Sequence, residues 1–296
     1  MIPSQSLVSI GIPTYNRADI LKRSIESALN QDYKNIEVIV SDNASKDSTI
    51  EVCRNYSRKD NRFRYISNSV NRGPTQNFSS LLSFAQGDYF MWLADDDWID
   101  ENYVSRCVSI LDADKAVSLV YGIPKYYMAG VNTYDGKVYN LLSNFSWIRV
   151  LSYYWKVTDN GMFYGVMRSE QIKKLKMINT MGNDWLFTAS VAFLGKVRVI
   201  DDISIHRELG GATASARKIA STLGLSGIQG AFPMLMVSFM AGLDVIKRDS
   251  IYKDKSIFEK LFFSLLIFLV VRLKKIKSAY YRSENALRSI KNYFMK

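Results

Sequence analysis

The first hundred residues alternate short apolar runs with segments whose apolar positions recur at helical spacing. The apolar runs predict four buried strands, at Leu7 to Ile12, Ile36 to Val40, Phe63 to Ile66 and Tyr89 to Leu93. The segments between them predict three helices, over Ala18 to Gln31, Ser45 to Asp60 and Asn77 to Ala85. This alternation is typical of an α/β fold with a mostly parallel sheet and helices on both faces. Pro13 has no amide hydrogen, so we expect the first strand to end at Ile12.

Mostly polar residues follow each of the four predicted strands. They are Pro13, Thr14, Tyr15, Asn16 and Arg17 after the first strand, Asp42 and Asn43 after the second, Asn71 and Arg72 after the third, and Asp95, Asp96 and Asp97 after the fourth. The carboxyl ends of parallel strands meet at one edge of a sheet, where ligands collect. These side chains are therefore the candidate binding residues.

The residue types in these loops fit a nucleoside diphosphate. Three consecutive carboxylates repel one another unless a cation lies among them, and oxygen ligands suit Mg²⁺ or Mn²⁺. Asp42 and Asn43 could bind a base or a ribose, and Arg17 and Arg72 could bind phosphate. Each feature alone also fits a solvated loop or a helix cap. Together they predict a nucleotide site with a divalent metal.

Several other classes of chemistry are excluded. No Gly-x-Gly-x-x-Gly follows the first strand and no Gly-Lys-Ser/Thr occurs, so neither a hydride-transfer cofactor nor a P-loop is indicated. His206 is the only histidine, which excludes two-histidine zinc sites. Cys53 and Cys107 are too few for a disulfide framework and fit a reducing, cytoplasmic compartment. A metal that stabilises a leaving diphosphate fits sugar transfer from a nucleotide sugar.

The ordered motifs of the first hundred residues resemble the inverting family 2 glycosyltransferases, which have the GT-A fold. The segments that carry the resemblance are Val8 to Arg17, Val40 to Thr49, Asn71 to Gly73, Ala85 to Tyr89 and Leu93 to Asp97. The resemblance implies that Thr14, Asn16, Asp42 and Arg72 line the nucleoside pocket, and that Asp95 and Asp97 hold ribose, diphosphate and metal. Ala94 stands where many relatives carry Asp, which leaves open which of the three aspartates contacts the ion.

The resemblance also implies a catalytic base in the second half of the chain. Asp184 opens a helical pattern at the place where the family has its catalytic carboxylate. An inverting transferase needs a base that takes the proton of the acceptor hydroxyl. The alternative is that Asp184 only caps the helix.

A strand-like run, Val197 to Ile205, is followed by His206 and Arg207 and then by Gly210 to Thr213. We expect the glycine pair to form a loop over the bound diphosphate, with His206 or Arg207 touching phosphate or metal. The alternative for His206 is a structural role. Met162 to Arg168 is expected to form a strand. The aromatic clusters Tyr121 to Tyr127 and Trp147 to Trp155 fit either core or an acceptor platform.

The basic charge of the chain is concentrated at its carboxyl end. The net charge is +11, which first indicates a nucleic-acid or membrane partner. Residues from Lys247 onward account for +9, so the remainder is nearly neutral and no nucleic acid is expected. Leu261 to Val271 is an uncharged apolar run flanked by Lys and Arg, and too short to span a bilayer. It predicts a helix on the anionic inner face of the membrane; a core helix or a homodimer interface is the alternative.

The sequence therefore predicts a GT-A catalytic domain over residues 1–215, with a nucleotide-binding half (1–100) and an acceptor half (101–215), and a basic helical extension over 216–296. The predicted activity is metal-dependent, inverting transfer from a nucleotide diphosphate sugar to a glycan or lipid-linked acceptor in bacterial surface polysaccharide synthesis. A sugar-phosphate nucleotidyltransferase is an alternative, although it should carry a glycine-rich loop after the first strand. A non-catalytic basic binding module is another, although it should carry its charge more evenly.

Overall fold

A single mixed sheet organises the molecule. The computed structural model describes residues 5–209, 215–247 and 249–274, and the nine strands found there belong to one sheet. The strands are β1 Val8–Thr14, β2 Ile36–Asp42, β3 Phe63–Ser67, β4 Tyr89–Trp92, β5 Trp98–Ile99, β6 Val117–Met128, β7 Val131–Asp135, β8 Val166–Arg168 and β9 Lys196–Glu208. The sheet order is β3-β2-β1-β4-β8-β6-β9-β5, with β7 beside β6.

Helices cover the sheet and extend beyond it at the carboxyl end. They are α1 Ala18–Leu29, α2 Thr49–Lys59, α3 Pro74–Phe84, α4 Tyr103–Ala113, α5 Ser146–Lys156, α6 Ser169–Ile172, α7 Asn183–Leu194, α8 Ala216–Thr222, α9 Gly227–Ala231, α10 Pro233–Lys247, α11 Asp249–Tyr252 and α12 over residues 257–274. Together with the sheet they give the α/β architecture, including carboxyl-terminal helices, that the sequence predicts.

The first four strands are parallel to one another, as the alternation of strands and helices predicts. Thr14 lies beside Asp42 in the pairing of β1 with β2, and Gly11 lies beside Trp92 in the pairing of β1 with β4. All four strands therefore end at the same edge of the sheet. The polar loops that follow them converge there.

Pro13 lies within β1, so the prediction that the strand ends at Ile12 is wrong. On one side, β1 continues beside β2 through Pro13 and Thr14. On the other side, the pairing with β4 stops at Gly11 and Trp92, so no carbonyl of β4 needs the missing amide hydrogen of Pro13. β1 thus carries Thr14 one step further into the loop edge than the sequence indicates.

Two helices begin at other residues than the sequence predicts. α2 begins at Thr49, because Oδ1 of Asp42 accepts the Ser45 N–H at 3.0 Å and Ala44 adopts a φ of 66°, which keeps the preceding loop out of the helix. α3 begins early, at Pro74, where proline needs no hydrogen-bonded N–H. The preceding Gly73 has a φ of 81°, a value that glycine reaches without strain.

The second half of the sheet brings β9 next to the loop that follows β4. β8 is antiparallel to both β4 and β6, and β6 is parallel to β9. Only Val166–Arg168 of the predicted strand Met162 to Arg168 is a strand, because Gly161–Tyr164 forms a 3₁₀ turn. β5 directly follows the aspartates and pairs antiparallel with β9, so that Trp98 lies opposite His206.

The carboxyl-terminal helices pack on the sheet's helical layer through aromatic residues. The Trp147 ring of α5 stacks on Phe263 at a centroid distance of 4.3 Å and on Tyr252 at 5.3 Å. Trp147 is therefore a core residue and not part of an acceptor platform. Val237 of α10 and Ile267 of α12 are buried in the same core. No helix within the described residues is both long and apolar enough to cross a membrane.

Candidate active site

Asp95 and Asp96 follow β4 and contact residues that follow β1. The hydroxyl of Thr14 donates to Oδ2 of Asp95 at 2.8 Å. The Arg17 guanidinium reaches Oδ1 of Asp95 at 3.2 Å and Oδ2 of Asp96 at 2.5 Å. The parallel pairing of β1 and β4 produces these contacts, because it places the two loops side by side.

Asp97 contacts the end of β9 instead. Nε of Arg207 donates to Oδ2 of Asp97 at 3.0 Å, and the Glu208 N–H donates to Oδ1 at 3.2 Å. The Arg207 guanidinium lies over the Tyr164 ring at 4.3 Å and receives further support from Tyr126, whose hydroxyl accepts from it at 3.3 Å. Asp97 is 1% exposed, so Arg207 compensates a carboxylate that solvent does not reach.

Burial raises the pKa of two of the three carboxyl groups. The pKa of Asp95 rises to about 7 because the group is buried, and the nearby Arg17 works against that rise. The pKa of Asp97 rises to about 6 for the same reason, against Arg207. Two buried carboxylates held by two arginines form a site in which added positive charge is favourable.

His206 faces away from the aspartates. Its Nδ1 lies 3.0 Å from the Tyr127 hydroxyl, its Nε2 lies 2.7 Å from Oδ1 of Asp100, and its ring stacks on Trp98 at 5.0 Å. Both ring nitrogens are engaged, so this geometry does not support the predicted metal contact by His206. Neighbouring residues of a strand point to opposite faces, and Arg207 is the one directed at Asp97. Gly210 to Thr213 lies outside the described residues.

The predicted nucleoside residues lie together beyond β1, β2 and β3. Asp42 is fully buried and accepts hydrogen bonds from the Ser45 N–H and the Ser67 hydroxyl. Asn43 bridges to the third loop, because its Oδ1 accepts the Arg72 N–H at 2.9 Å and its Nδ2 donates to Asn71 at 2.8 Å. The network joins the loops after β2 and β3.

Asn16 and Arg72 are both exposed. Asn16 has a φ of 52° and accepts the Lys46 N–H at 2.7 Å, so it fixes the loop after β1 against the loop after β2. Buried Asn77 of α3, which sequence analysis missed, donates to the carbonyls of Thr14 and Ser41 and thereby holds the ends of β1 and β2. The sequence does carry a signal for this role, since Asn77 is a polar residue at the start of the third predicted helix.

A cleft of about 480 Å³ lies at this edge of the sheet. Its lining includes nine of the candidate binding residues that follow the predicted strands, namely Pro13, Thr14, Tyr15, Arg17, Asn43, Asn71, Asp95, Asp96 and Asp97. Asn77, Tyr164 and Arg207 also line it. Asn16, Asp42 and Arg72 are not among its lining residues, although Asn16 and Asp42 form hydrogen bonds with the loop after β2 and Arg72 with Asn43. We call this space the first cleft.

A second cleft, of about 400 Å³, adjoins the first and contains Asp184. Residues common to both clefts form a dividing wall, namely Pro74, Phe78, Tyr164, Arg207 and Thr222. Much of the second cleft is apolar, with Phe163, Met181, Met234 and Val237 among its lining residues. The two clefts differ in character, since the first is rich in charged and polar groups.

Asp184 lies in the first turn of α7, where a carboxylate is favourable. Nδ2 of Asn160, itself in a left-handed conformation, donates to Oδ2 of Asp184 at 2.8 Å. Burial raises the pKa of Asp184, and the Asn160 hydrogen bond opposes the rise. Gly182 before it has a φ of 70°, and a Cβ there would lie 2.8 Å from a Val237 methyl group. Any larger residue would therefore disturb the entry to α7.

The carboxylates of the first cleft offer the oxygen donors that Mg²⁺ and Mn²⁺ prefer. Within residues 5–209, 215–247 and 249–274, no three His, Cys, Asp or Glu side chains form a group that could hold an ion. Asp95 and Asp97 could hold a cation here only together with water and substrate oxygens. The donor set does not fit a closed protein cage.

A protein family model and individual glycosyltransferases are similar to this chain in sequence. A family model described as glycosyl transferase family 2 matches residues 9–176. The glycosyltransferase GlyA of Streptococcus pneumoniae is 29% identical over 180 residues, which are 59% of this chain and 24% of GlyA. The GalNAc(5)-diNAcBac-PP-undecaprenol beta-1,3-glucosyltransferase of Campylobacter jejuni is 40% identical over 91 residues, 30% of this chain and 29% of that protein. The chain thus spans only about a quarter of the length of these two relatives.

Solved structures share the fold over most of the chain. TarS of Staphylococcus aureus has a TM-score of 0.59 at 16% identity, covering 87% of this chain and 70% of that one. A mannosyltransferase of Pyrobaculum calidifontis, solved with GDP-Man and Mn²⁺, has a TM-score of 0.58 at 14% identity, covering 96% and 81%. These neighbours confirm the GT-A fold. Since the family model also covers more than half of the sequence, the chain belongs to glycosyl transferase family 2.

Proposed function

We propose that the chain is a metal-dependent, inverting glycosyltransferase that moves one sugar from a nucleotide diphosphate sugar to a glycan or lipid-linked acceptor. The observation that carries the proposal is the pair of adjoining clefts. The first cleft contains the aspartates and two arginines, and the second contains Asp184. Arg207 belongs to the wall between them. Donor and acceptor could thus bind side by side, with the reacting atoms near the wall.

The donor fits the first cleft by charge and by hydrogen-bonding capacity. Asn43 and Asn71, with Asp42 behind them, supply amide and carboxylate groups for the base and ribose. Arg17 and Arg207 supply cations for the diphosphate. A divalent ion on Asp97 and Asp95 would stabilise the charge of the leaving nucleoside diphosphate. The Mn²⁺ and GDP-Man bound by the mannosyltransferase of similar fold support this cofactor and this donor class.

In the proposed reaction, Asp184 is the catalytic base. Its carboxylate takes the proton of the acceptor hydroxyl, whose oxygen forms a bond to the anomeric carbon of the sugar. The bond from that carbon to the diphosphate oxygen breaks, and its electron pair leaves with the nucleoside diphosphate. Attack from the face opposite the leaving group inverts the anomeric configuration. The buried site and the Asn160 hydrogen bond hold Asp184 in place for this role.

The apolar lining of the second cleft supports an acceptor with an apolar portion. The name of the Campylobacter relative includes an undecaprenol-linked acceptor, which supports a lipid-linked glycan as the acceptor and a place in surface polysaccharide synthesis.

Incubation of the purified chain with single nucleotide sugars and Mn²⁺ tests the proposal. We expect release of a nucleoside diphosphate with one donor, loss of that release in EDTA, and a product whose anomeric proton coupling in NMR shows inversion. Release of pyrophosphate from a nucleoside triphosphate and a sugar phosphate would instead show a nucleotidyltransferase. Retention of configuration would rule out direct displacement with Asp184 as the base.

A further inference from the structure

α12 exposes apolar side chains to solvent, whereas an ordinary surface helix exposes polar ones. Between residues 257 and 274 every exposed side chain is apolar, namely Ile257, Phe258, Leu261, Phe262, Leu265, Leu269 and Leu273. Phe258 is 80% exposed and Phe262 is 58% exposed. Phe258, Phe262, Leu265, Leu269 and Leu273 recur every three or four positions, and Leu261 precedes Leu265 by four, so they form one stripe along the helix.

The charged residues of α12 are less exposed than its apolar stripe. Lys260 is only 8% exposed. Glu259 accepts a hydrogen bond from the Trp147 indole at 2.6 Å. Nζ of Lys274 lies 3.4 Å from the Tyr154 carbonyl oxygen and 5.2 Å from the centre of the Trp185 ring. α12 thus contacts the catalytic part through Glu259 and Lys274 and leaves its apolar stripe outside.

The neighbouring helices expose apolar residues as well. Ile228, Phe232, Leu235 and Phe239 are exposed along α9 and α10. α10 lies close against α12, since a Cβ on Gly242 would meet Oγ of Ser264 at 2.9 Å. We call these four residues and the α12 stripe together the apolar face. Apolar faces of this extent on soluble proteins mark sites of interaction.

We propose that the apolar face binds the surface of an anionic lipid bilayer, with α12 lying in the plane of the interface. The charge around the face favours this partner. Lys247 and Lys253 are exposed at the carboxyl end of α10 and just before α12. The sequence after residue 274 adds six Lys or Arg and one Glu. Apolar side chains between basic residues are what an anionic leaflet binds.

A second copy of the chain is a poorer partner for the same face. In a symmetric dimer the same patch meets itself, so the exposed Lys247 and Lys253 beside the apolar face would approach the same two lysines of the second copy. Residues from Lys247 onward carry +9 in each copy. Lipid phosphates compensate this charge, whereas a second copy doubles it.

The apolar face and the second cleft are built on the same helix. α10 exposes Leu235 and Phe239, while Met234 and Val237 of the same helix line the cleft that contains Asp184. Binding to a bilayer would therefore hold the second cleft near the lipid surface. The binding itself does not depend on the proposed transferase activity, so the two can be tested separately.

Co-sedimentation of the full chain with vesicles tests the proposal. We expect binding to phosphatidylglycerol vesicles that weakens with added salt, and much weaker binding to phosphatidylcholine vesicles. The double variant F258S/F262S should bind about tenfold more weakly, because it removes apolar groups that enter the interface. The matched control V70S/V131S changes two exposed apolar residues of the sheet domain, 58% and 68% exposed, and should bind as the unchanged chain does.

A second variant and a mass measurement keep the test decisive. K247E/K253E leaves the apolar face intact and should lose affinity for anionic vesicles alone, which covers the case that F258S/F262S does not fold. Equal binding to both kinds of vesicle would overturn the proposal. So would a stable dimer in analytical ultracentrifugation that F258S/F262S dissociates, if the unchanged chain does not bind vesicles.

Discussion

Arg207 and Asp97 form the ion pair that joins the end of β9 to the loop after β4, with Nε of the arginine 3.0 Å from Oδ2 of the aspartate. The pair closes the sheet edge at which both clefts open. It also explains why Asp97 remains buried beside two other carboxyl groups, since a buried charge without a partner costs several kcal/mol.

Replacing Arg207 with Met should lower the free energy of unfolding by about 3–5 kcal/mol, because it leaves Asp97 buried without its partner. Urea unfolding followed by circular dichroism measures this loss. The control is Arg72→Met, which removes an exposed guanidinium and should change stability by less than about 0.5 kcal/mol. Equal effects of the two variants would contradict the structural role of the Arg207–Asp97 pair.

Replacing Asp184 with Asn should reduce the turnover number by about 10²- to 10⁴-fold, because the base is lost. The melting temperature should not fall, since Asn can still accept the Asn160 hydrogen bond and removes a buried charge. Asp159→Asn is the matched control, because Asp159 is a second carboxylate of the same cleft. If Asp159→Asn causes the larger loss, Asp159 and not Asp184 is the base.

The acidic limb of the pH profile should report Asp184. Its pKa is raised by burial, so activity should disappear on acidification at a higher pH than an ordinary aspartate would give. Asn160→Gly keeps the left-handed backbone but removes the hydrogen bond that lowers this pKa. The limb of kcat/KM should then move to still higher pH. An unchanged limb would show that another group controls activity in acid.

The same pKa shift has a defined effect on stability. A buried carboxyl whose folded pKa is raised binds its proton more tightly in the folded state, so its contribution to the free energy of unfolding rises as the pH falls through the folded pKa. Asp184→Asn should therefore stabilise the protein most at neutral pH and progressively less in acid. Melting curves across this range measure the difference.

Removal of divalent metal should abolish transfer, and Mn²⁺ should restore it. Separate Asp95→Asn, Asp96→Asn and Asp97→Asn variants identify the ligand, which the sequence leaves open. The variants at metal-binding positions should lose the rise in melting temperature that donor nucleotide plus Mn²⁺ produces, because ligand binding to the folded state alone stabilises it. A full rise in all three variants would show that these carboxylates do not hold the ion.

Much of the nucleotide half could be predicted, because its signals are local. Apolar runs and the polar residues directly after them fixed four strands and brought Thr14, Arg17 and Asp95 to one edge. The parallel order of β3, β2, β1 and β4 follows from the short crossovers. The prediction that β1 ends before Pro13 failed because the missing amide hydrogen matters only where a neighbouring strand needs it. How far β4 extends beside β1 is not a local property of the sequence.

The other half of the site depends on long-range pairing that the sequence does not indicate. His206 and Arg207 are neighbours, and only the register of β9 against β5 and β6 determines which one faces Asp97. Asn160 lies 24 positions before Asp184, and its own left-handed backbone conformation accompanies the hydrogen bond between the two side chains. Trp147 belongs to the core because Phe263 and Tyr252 of the carboxyl-terminal helices stack on it, contacts that span more than a hundred positions of the chain.

The wall between the two clefts has a thermodynamic consequence. A donor phosphate that attracts the Arg207 guanidinium would weaken its pairing with Asp97 and its contact with Tyr164, and both Arg207 and Tyr164 also bound the second cleft. Donor and acceptor are then linked through one side chain, and each must change the other's equilibrium affinity by the same factor. Either ligand would then meet a cleft whose shape the other has already changed.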